Sequence, residues 1–428
     1  MKNLFKTIIK DFQNQKLPGF QKRELRVPLF SKKIITIIGV RRCGKTWYLY
    51  QLIAELLQKT SIENIVYINF EDERLDMGVG DLQSLLDAYF ELYPDNENEL
   101  FFFFDEIQNV QGWEKFVRRV HDTVSKHIFI TGSSSKLLSR EIATSLRGRA
   151  VSFELFPFSF KEYLTAHAIG TEDIYSTKNK AKINARFEHY LFEGGFPEVA
   201  LYSPEMRKKT LQSYFDVMLY RDLLERYNIK NIVALKYFIK KGIANTSNKI
   251  SLNKLFNELK SMGIKLSKET LYKFADYVQE CYLFSLVNMI SESVGKQIAN
   301  DKKLYVIDNG LVNAISFKLS KDEGKLLENL VYNHLRKKGN EFYYFQEKNV
   351  CDFVETEKNK VVTAVQVTLE MSGVNKKREV NGLLQALEKY DLPSGYIITK
   401  DQNYDLETGG KKIFVRPAWE WLLTERRA

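Results

Sequence analysis

The stretch Ile34-Ile35-Thr36-Ile37-Ile38-Gly39-Val40-Arg41-Arg42-Cys43-Gly44-Lys45-Thr46 constrains this chain more than any other. Its run of β-branched residues predicts a buried strand. The strand breaks at Gly39, passes through a short polar turn, and meets an amphipathic helix at Gly44-Lys45-Thr46. Strand, GxxxxGK[ST] and helix in that order form the context a P-loop needs. Unpaired N–H groups of the loop and the first helical turn converge there, and the helix dipole adds positive potential. Gly39 and Gly44 let the backbone curl toward phosphate oxygens. The loop residues Val40, Arg41, Arg42 and Cys43, with Trp47 just beyond, complete the predicted cradle. Lys45 is expected to neutralise β- and γ-phosphates, and the Thr46 hydroxyl to ligand Mg²⁺. The pattern predicts a pocket for a nucleoside triphosphate.

A chain of 428 residues has room for two or three domains. Its apolar share of 44% and aromatic share of 13% exclude a disordered chain. Cys43, Cys281 and Cys351 are scattered and odd in number, so neither a disulfide framework nor a CxxC metal pair is expected. That usage suits a reducing compartment, and a cytoplasmic location is the expectation. The first residues lack the apolar core of a signal peptide, and no apolar run approaches the ~20 residues that cross a bilayer. A net charge of +10 leans toward nucleic acid or another anionic surface, but equally fits a merely Lys-rich chain.

Downstream, Ile65–Phe70 alternates as a second strand and a helix is expected around Leu82–Leu92. Then Phe101-Phe102-Phe103-Phe104 runs into Asp105-Glu106, 60 residues after Lys45, which is the Walker B pattern. Such a strand delivers Asp105 to a Mg²⁺ shell and leaves Glu106 to polarise the attacking water. A helix from Trp113 precedes a fourth strand, Ile128–Ser134. There Ser133 or Ser134 is placed as a sensor hydroxyl, or as a plain helix cap. Arg149 heads a fifth strand, Ala150–Glu154; it is a candidate finger acting on a neighbouring subunit, or an ion pair bracing that strand. The order of these elements permits an extra strand between the P-loop and Walker B strands. Because no NKxD base-recognition signature occurs, ATP is preferred to GTP.

These segments, with Leu146-Arg147-Gly148-Arg149, Leu155-Phe156-Pro157-Phe158-Ser159-Phe160 and Glu193-Gly194-Gly195-Phe196-Pro197-Glu198, resemble a known family. It is that of prokaryotic AAA-superfamily ATPases carrying a C-terminal domain of unknown function. The resemblance spans about residues 20–400 and implies an α/β P-loop fold that binds ATP. A domain over 1–215, including a helical lid or linker, is therefore expected. Residues 216–300 read as three helices and a hairpin, a winged helix. Residues 225–280 hold eleven Lys and Arg against five Asp and Glu. Ser267, Lys268, Thr270, Tyr272 and Lys273 are candidates for a groove of DNA.

Residues 301–428 resemble the core of restriction-endonuclease-like folds. Glu328 on a helix and Asp352 on a strand are the expected acids of a second, degenerate metal site. Gln366 and Thr368 stand where that fold places a carboxylate and a lysine, so little or no cleavage is expected. The expected function is Mg²⁺-dependent ATP hydrolysis in an ATP-switched, DNA-associated protein. Alternatives are a signalling switch that contacts a protein partner or further copies of itself, and an ATP-regulated nuclease. A P-loop kinase is disfavoured, because no acceptor site is readable.

Overall fold

The isoleucine run at Ile34–Ile38 forms a completely buried strand, β1, in a computed structural model that describes residues 1–78, 80–132, 146–316 and 322–424. The chain divides into two compact units, Met1–Phe156 and Pro157–Ala428. The first opens with helix α1 (Lys2–Asn14), then β1 and α2 (Lys45–Leu56). After them come β2 (Ile65–Asn69), α3 (Gln83–Leu92), β3 (Phe101–Asp105), α4 (Trp113–Thr123), β4 (His127–Gly132) and β5 (Ala150–Glu154). All pairings are parallel and the strand order is β2-β3-β4-β1-β5. The strand inserted between the P-loop and Walker B strands is thus β4, with Ile37 opposite Thr131 and Phe104 opposite Ile130. Parallel strands must be covered on both faces, which explains why Phe101–Phe104 are buried on both sides of the pleat. Phe103 stacks on Phe129 with ring centroids 4.6 Å apart. The carboxyl ends of β1, β3 and β4 share one edge, where ligands of open α/β sheets bind.

The second unit begins with three helices, α5 (Phe160–Ala166), α6 (Thr177–Glu193) and α7 (Pro204–Val217). Next come α8 (Ile232–Ala244), β6 (Lys249–Ile250), α9 (Leu252–Ser261), α10 (Lys268–Glu280), β7 (Phe284–Val287), α11 (Val294–Ala299) and β8 (Lys302–Val306). Asn231, Ser251 and Ser267 each accept a backbone N–H to cap the helix that follows, so α8, α9 and α10 start where the polar residues fall. A three-stranded antiparallel sheet, β6-β8-β7, closes this segment. Helices α12 (Asn309–Ile315) and α13 (Glu323–Arg336) lead into β9 (Glu341–Gln346), β10 (Val350–Glu357) and β11 (Lys360–Val367). Helix α14 (Lys376–Lys389), β12 (Ser394–Thr399), β13 (Tyr404–Thr408), β14 (Lys411–Pro417) and α15 (Ala418–Thr424) finish the chain. The mixed sheet runs β13-β14-β12-β11-β10-β9, with β11 and β12 parallel across the α14 crossover.

Compactness divides the chain at Phe156 and Pro157, whereas the sequence suggested a boundary near residue 215. One cause is visible at Gly194-Gly195, the end of α6. Gly194 has φ 75°, and a Cβ there would lie 2.0 Å from an Asp308 oxygen. The Gly195 N–H donates to Asp308 Oδ2 at 2.6 Å, while Asp308 Oδ1 accepts from Gly310 and Leu311 at the head of α12. The glycine pair thus ties α6 to a carboxylate 113 residues away. Burial pushes the Asp308 carboxyl up to about 6, against the pull of the three backbone N–H donors.

Because its folded value lies above its unfolded one, Asp308 contributes most to stability below about pH 4. That contribution is lost as pH rises toward about 6. A shift of this size corresponds to on the order of 3 kcal/mol. Asp308→Asn should be less stable throughout, since its amide N–H₂ meets the Gly195 donor. Its stability difference from the parent should nevertheless narrow as pH rises across this window, read by urea unfolding at several pH values. A constant difference would show that Asp308 binds its proton equally well in the folded and unfolded chain.

Candidate functional site

Helix α2 starts at Gly44, which has φ 95° and gives the helix no side-chain cap. Its first-turn N–H groups are therefore left for a ligand. Gly39 has φ 148°, and a Cβ there would meet the Leu155 carbonyl oxygen at 2.2 Å. Only glycine fits this bend between β1 and the strand-end beside it. Arg42 also takes a left-handed conformation, φ 68°. Val40 and Cys43 are buried, and burial pushes the Cys43 thiol up, so it is packing rather than a nucleophile. Arg41 lies 3.6 Å from Glu71, and Trp47 is 47% exposed on the outer side of α2.

Lys45 is buried, and its Nζ donates to the Gly39 and Val40 carbonyls at 3.1 and 3.3 Å. Its nearest carboxylate is Glu106, at 4.0 Å. The Thr46 hydroxyl donates to Asp105 Oδ2 at 2.7 Å. Tyr67 donates to the same oxygen at 3.2 Å, and the Thr131 hydroxyl donates to Oδ1. Burial and the neighbouring Glu106 raise the Asp105 carboxyl, while these three hydroxyls pull it back. Glu106 sits at φ 51°, which turns its side chain out of the strand direction. Its N–H donates to Thr131 Oγ1 at 3.0 Å, and Gln108 donates to its carboxylate. Thr46 and Asp105 offer adjacent hard oxygens, the donor chemistry Mg²⁺ takes.

Two residues of this site carry no motif letter. Thr131, at the end of β4, bonds both Asp105 and the backbone of Glu106. Arg23 is buried, and its guanidinium donates to the carbonyls of Cys43 and Phe156, bracing the P-loop from behind. A buried polar residue at the end of a fourth strand was the readable signal for Thr131; Arg23 had none. The sensor expected at Ser133 lies outside the described residues. Arg149 makes a two-point pair with Asp122, both bonds at 2.9 Å, at the start of β5.

In the second unit Glu328 on α13 and Asp352 on β10 do come together, but on an internal cation. Lys303 of β8 donates to Glu328 Oε1 at 2.9 Å and to Asp352 Oδ1 at 2.6 Å. Burial opposes its charge, yet the two carboxylates more than restore it and raise the ammonium above its usual range. Tyr305 donates to Glu328 at 2.7 Å, and the Val367 N–H to Asp352 at 2.9 Å. Gln366 accepts from the Asp352 N–H at 3.1 Å and donates to buried Glu379 at 2.7 Å. Thr368 donates to the Glu370 carbonyl instead of facing the acids. Among the described residues no group of three or more His, Cys, Asp and Glu side chains could hold a metal ion. The residues here do not fit one.

A model of an AAA domain matches residues 31–164, and a model described as a domain of unknown function (DUF8612) matches residues 184–323. The chain is 38% identical to the uncharacterized protein MJ1544 of Methanocaldococcus jannaschii, over 99% of this chain and 96% of that one. It is 30% identical to an uncharacterized protein of Haemophilus influenzae, over 83% of this chain and 87% of that one. Among solved structures it is similar to the Walker-type ATPase of Pyrococcus abyssi, with 15% identity and a TM-score of 0.43 over 66% of this chain and 90% of that one. Identity of this extent along nearly the whole of both chains places the protein in one family with the Methanocaldococcus protein, with an AAA domain followed by a domain of unknown function.

Proposed function

We propose that the first unit binds ATP with Mg²⁺ and hydrolyses it. The observation that carries this reading is the Lys45 ammonium. It is buried, hydrogen-bonded to two loop carbonyls with the Glu106 carboxylate 4.0 Å away, in the loop that leads into the uncapped start of α2. A phosphate anion in the loop is a stronger partner for this cation than two neutral carbonyls and a carboxylate at the edge of contact. Lys45 and the N–H groups of residues 40–46 hold the β- and γ-phosphates. Thr46 and Asp105 hold Mg²⁺, which neutralises charge on the phosphate oxygens. Glu106 accepts a proton from the water that attacks the γ-phosphorus. The new P–O bond forms as the bond to the β-phosphate oxygen breaks, and ADP leaves in line. Thr131 keeps the two acids in register, because its one hydroxyl serves Asp105 and the Glu106 backbone together.

For the second unit, the three helices and the β6-β8-β7 sheet support a winged helix over Ile232–Val306. Its α10 face exposes Lys268 and Lys273 beside Glu269 and Asp276, and Lys273 pairs with Glu269 at 2.7 Å. Two cations against two acids release few counterions, so this face favours a protein contact over a DNA backbone. The αβββαβ order around α13 and α14 supports a nuclease-like core in which Lys303 stands between the acids. Metal-dependent cleavage is not part of this reading.

Lys45→Ala should weaken ATP binding at least about 30-fold, since a buried charge loses its partner. Glu106→Gln should bind ATP like the parent while turnover falls by about 10²–10⁴-fold. Trp47 fluorescence reads the first, and phosphate release the second. Parental turnover by the Gln variant would assign the base elsewhere.

A further inference from the structure

Helix α4 carries a second cationic feature that the ATP site does not use. Lys115, Arg118, Arg119, Asp122 and Thr123 of α4 line a pocket of about 330 Å³ with Arg147 and Arg149. Five cations face one carboxylate, an excess of four. Asp122 is committed to Arg149. Arg119 donates to the neutral amide of Gln83 at 2.6 Å. The Arg118 Nε is buried with no hydrogen-bond partner among the described residues. Lys115 and Arg119 are an i,i+4 like-charge pair, and Arg118 lies on the same face, an arrangement that costs a helix stability on its own.

Arg147 and Gly148 add a built element to the rim. Both lie at positive φ, 47° and 75°, and the Arg149 N–H returns to the Leu146 carbonyl at 3.0 Å. This is a type I′ turn with arginine at a position that favours glycine or asparagine. The strained turn sets Arg147 and Arg149 against the helix row.

We propose that this pocket binds the sugar–phosphate backbone of nucleic acid, without regard to sequence. The charge count selects the ligand class: an excess of four cations exceeds what one terminal phosphate takes up, and matches a polyanion bearing one charge per phosphate. Lys115 to Arg119 spans about 6 Å of helix axis, roughly two phosphates along one strand. Among the described residues no aromatic side chain lines the pocket, so bases have nothing to stack on. The proposal is independent of the ATP reading, since none of the α4 cations belongs to the phosphate cradle around Lys45.

The test titrates a short random-sequence duplex into the full chain from about 50 to 200 mM salt. The triple variant Lys115→Gln, Arg118→Gln, Arg119→Gln should show a salt slope shallower by up to about 2.7, which is about 0.9 for each phosphate no longer neutralised. Its ATP affinity and basal turnover should match the parent, which also shows that it is folded. The double variant Lys268→Gln, Lys273→Gln should keep the parental slope. An unchanged slope in the triple variant overturns the proposal, as does a parent that fails to bind duplex at the lowest salt. Turnover that rises with protein concentration in the parent and is lost in the triple variant also overturns it, because the row then faces a second copy.

Discussion

The first unit depends on burying one carboxylate. Asp105 is 1% exposed at the end of an all-phenylalanine strand, where an unpartnered anion costs several kcal/mol. Three hydroxyls offset that cost, and each comes from a different element: Thr46 from α2, Tyr67 from β2, Thr131 from β4. The acid therefore reports whether the sheet is assembled correctly. Only the order β2-β3-β4-β1 brings Tyr67 and Thr131 to either side of Asp105 while the P-loop reaches it from the next strand. Glu106 inherits its position from the same network, through its N–H to Thr131. Fold and site are one set of bonds here.

This dependence explains what could be read in the sequence. The P-loop and the Asp105-Glu106 pair are local patterns, with letters and period within a dozen residues, so strand, turn, helix and their chemistry were all legible. Thr131 was visible only as a polar residue closing a strand; its role was not, because that needs β4 inserted between β1 and β3, and the hydroxyls that attract the eye are the serines just after it. Arg23 was invisible for the opposite reason: its partners, Cys43 and Phe156, lie 20 and 133 residues away. For Arg149 the sequence left a finger and an ion pair open, and the structure shows the pair with Asp122. The Gly194-Gly195 motif was visible as letters only. Its reason lies far along the chain for Gly194, where Asp308 oxygens occupy the space a side chain would need, and at the Phe158 carbonyl for Gly195.

The second unit buries a group of charges of its own around Lys303. Gln366 lies on β11, and its amide spans the Asp352 backbone and Glu379. An amide can donate to one carboxylate and accept from a backbone N–H at once; an acid in that place would add repulsion beside Asp352 and Glu379. Glu328 and Asp352 are buried acids that need a cation, and Lys303 supplies it from β8. The bond also has a structural consequence, because it joins the small three-stranded sheet to α13 and β10 within the unit.

Placement decides what the surplus of positive charge can do. Residues 225–280 hold more than twice as many bases as acids, yet that surplus is spread over the segment and many of its cations already have partners. Lys241 pairs with Glu258 at 3.0 Å, Lys273 with Glu269 at 2.7 Å, and Lys236 donates to the Tyr220 hydroxyl at 2.8 Å. A cation already hydrogen-bonded to a carboxylate releases little on meeting a phosphate, because one ion pair replaces another. Helix α4 has fewer bases, but they lie three and four residues apart on one face, and Asp122, the one acid lining their pocket, is already paired with Arg149. Such cations keep their counterions loosely and gain most from a polyanion. Counting by sequence window therefore points to α10, while counting by face and partner points to α4.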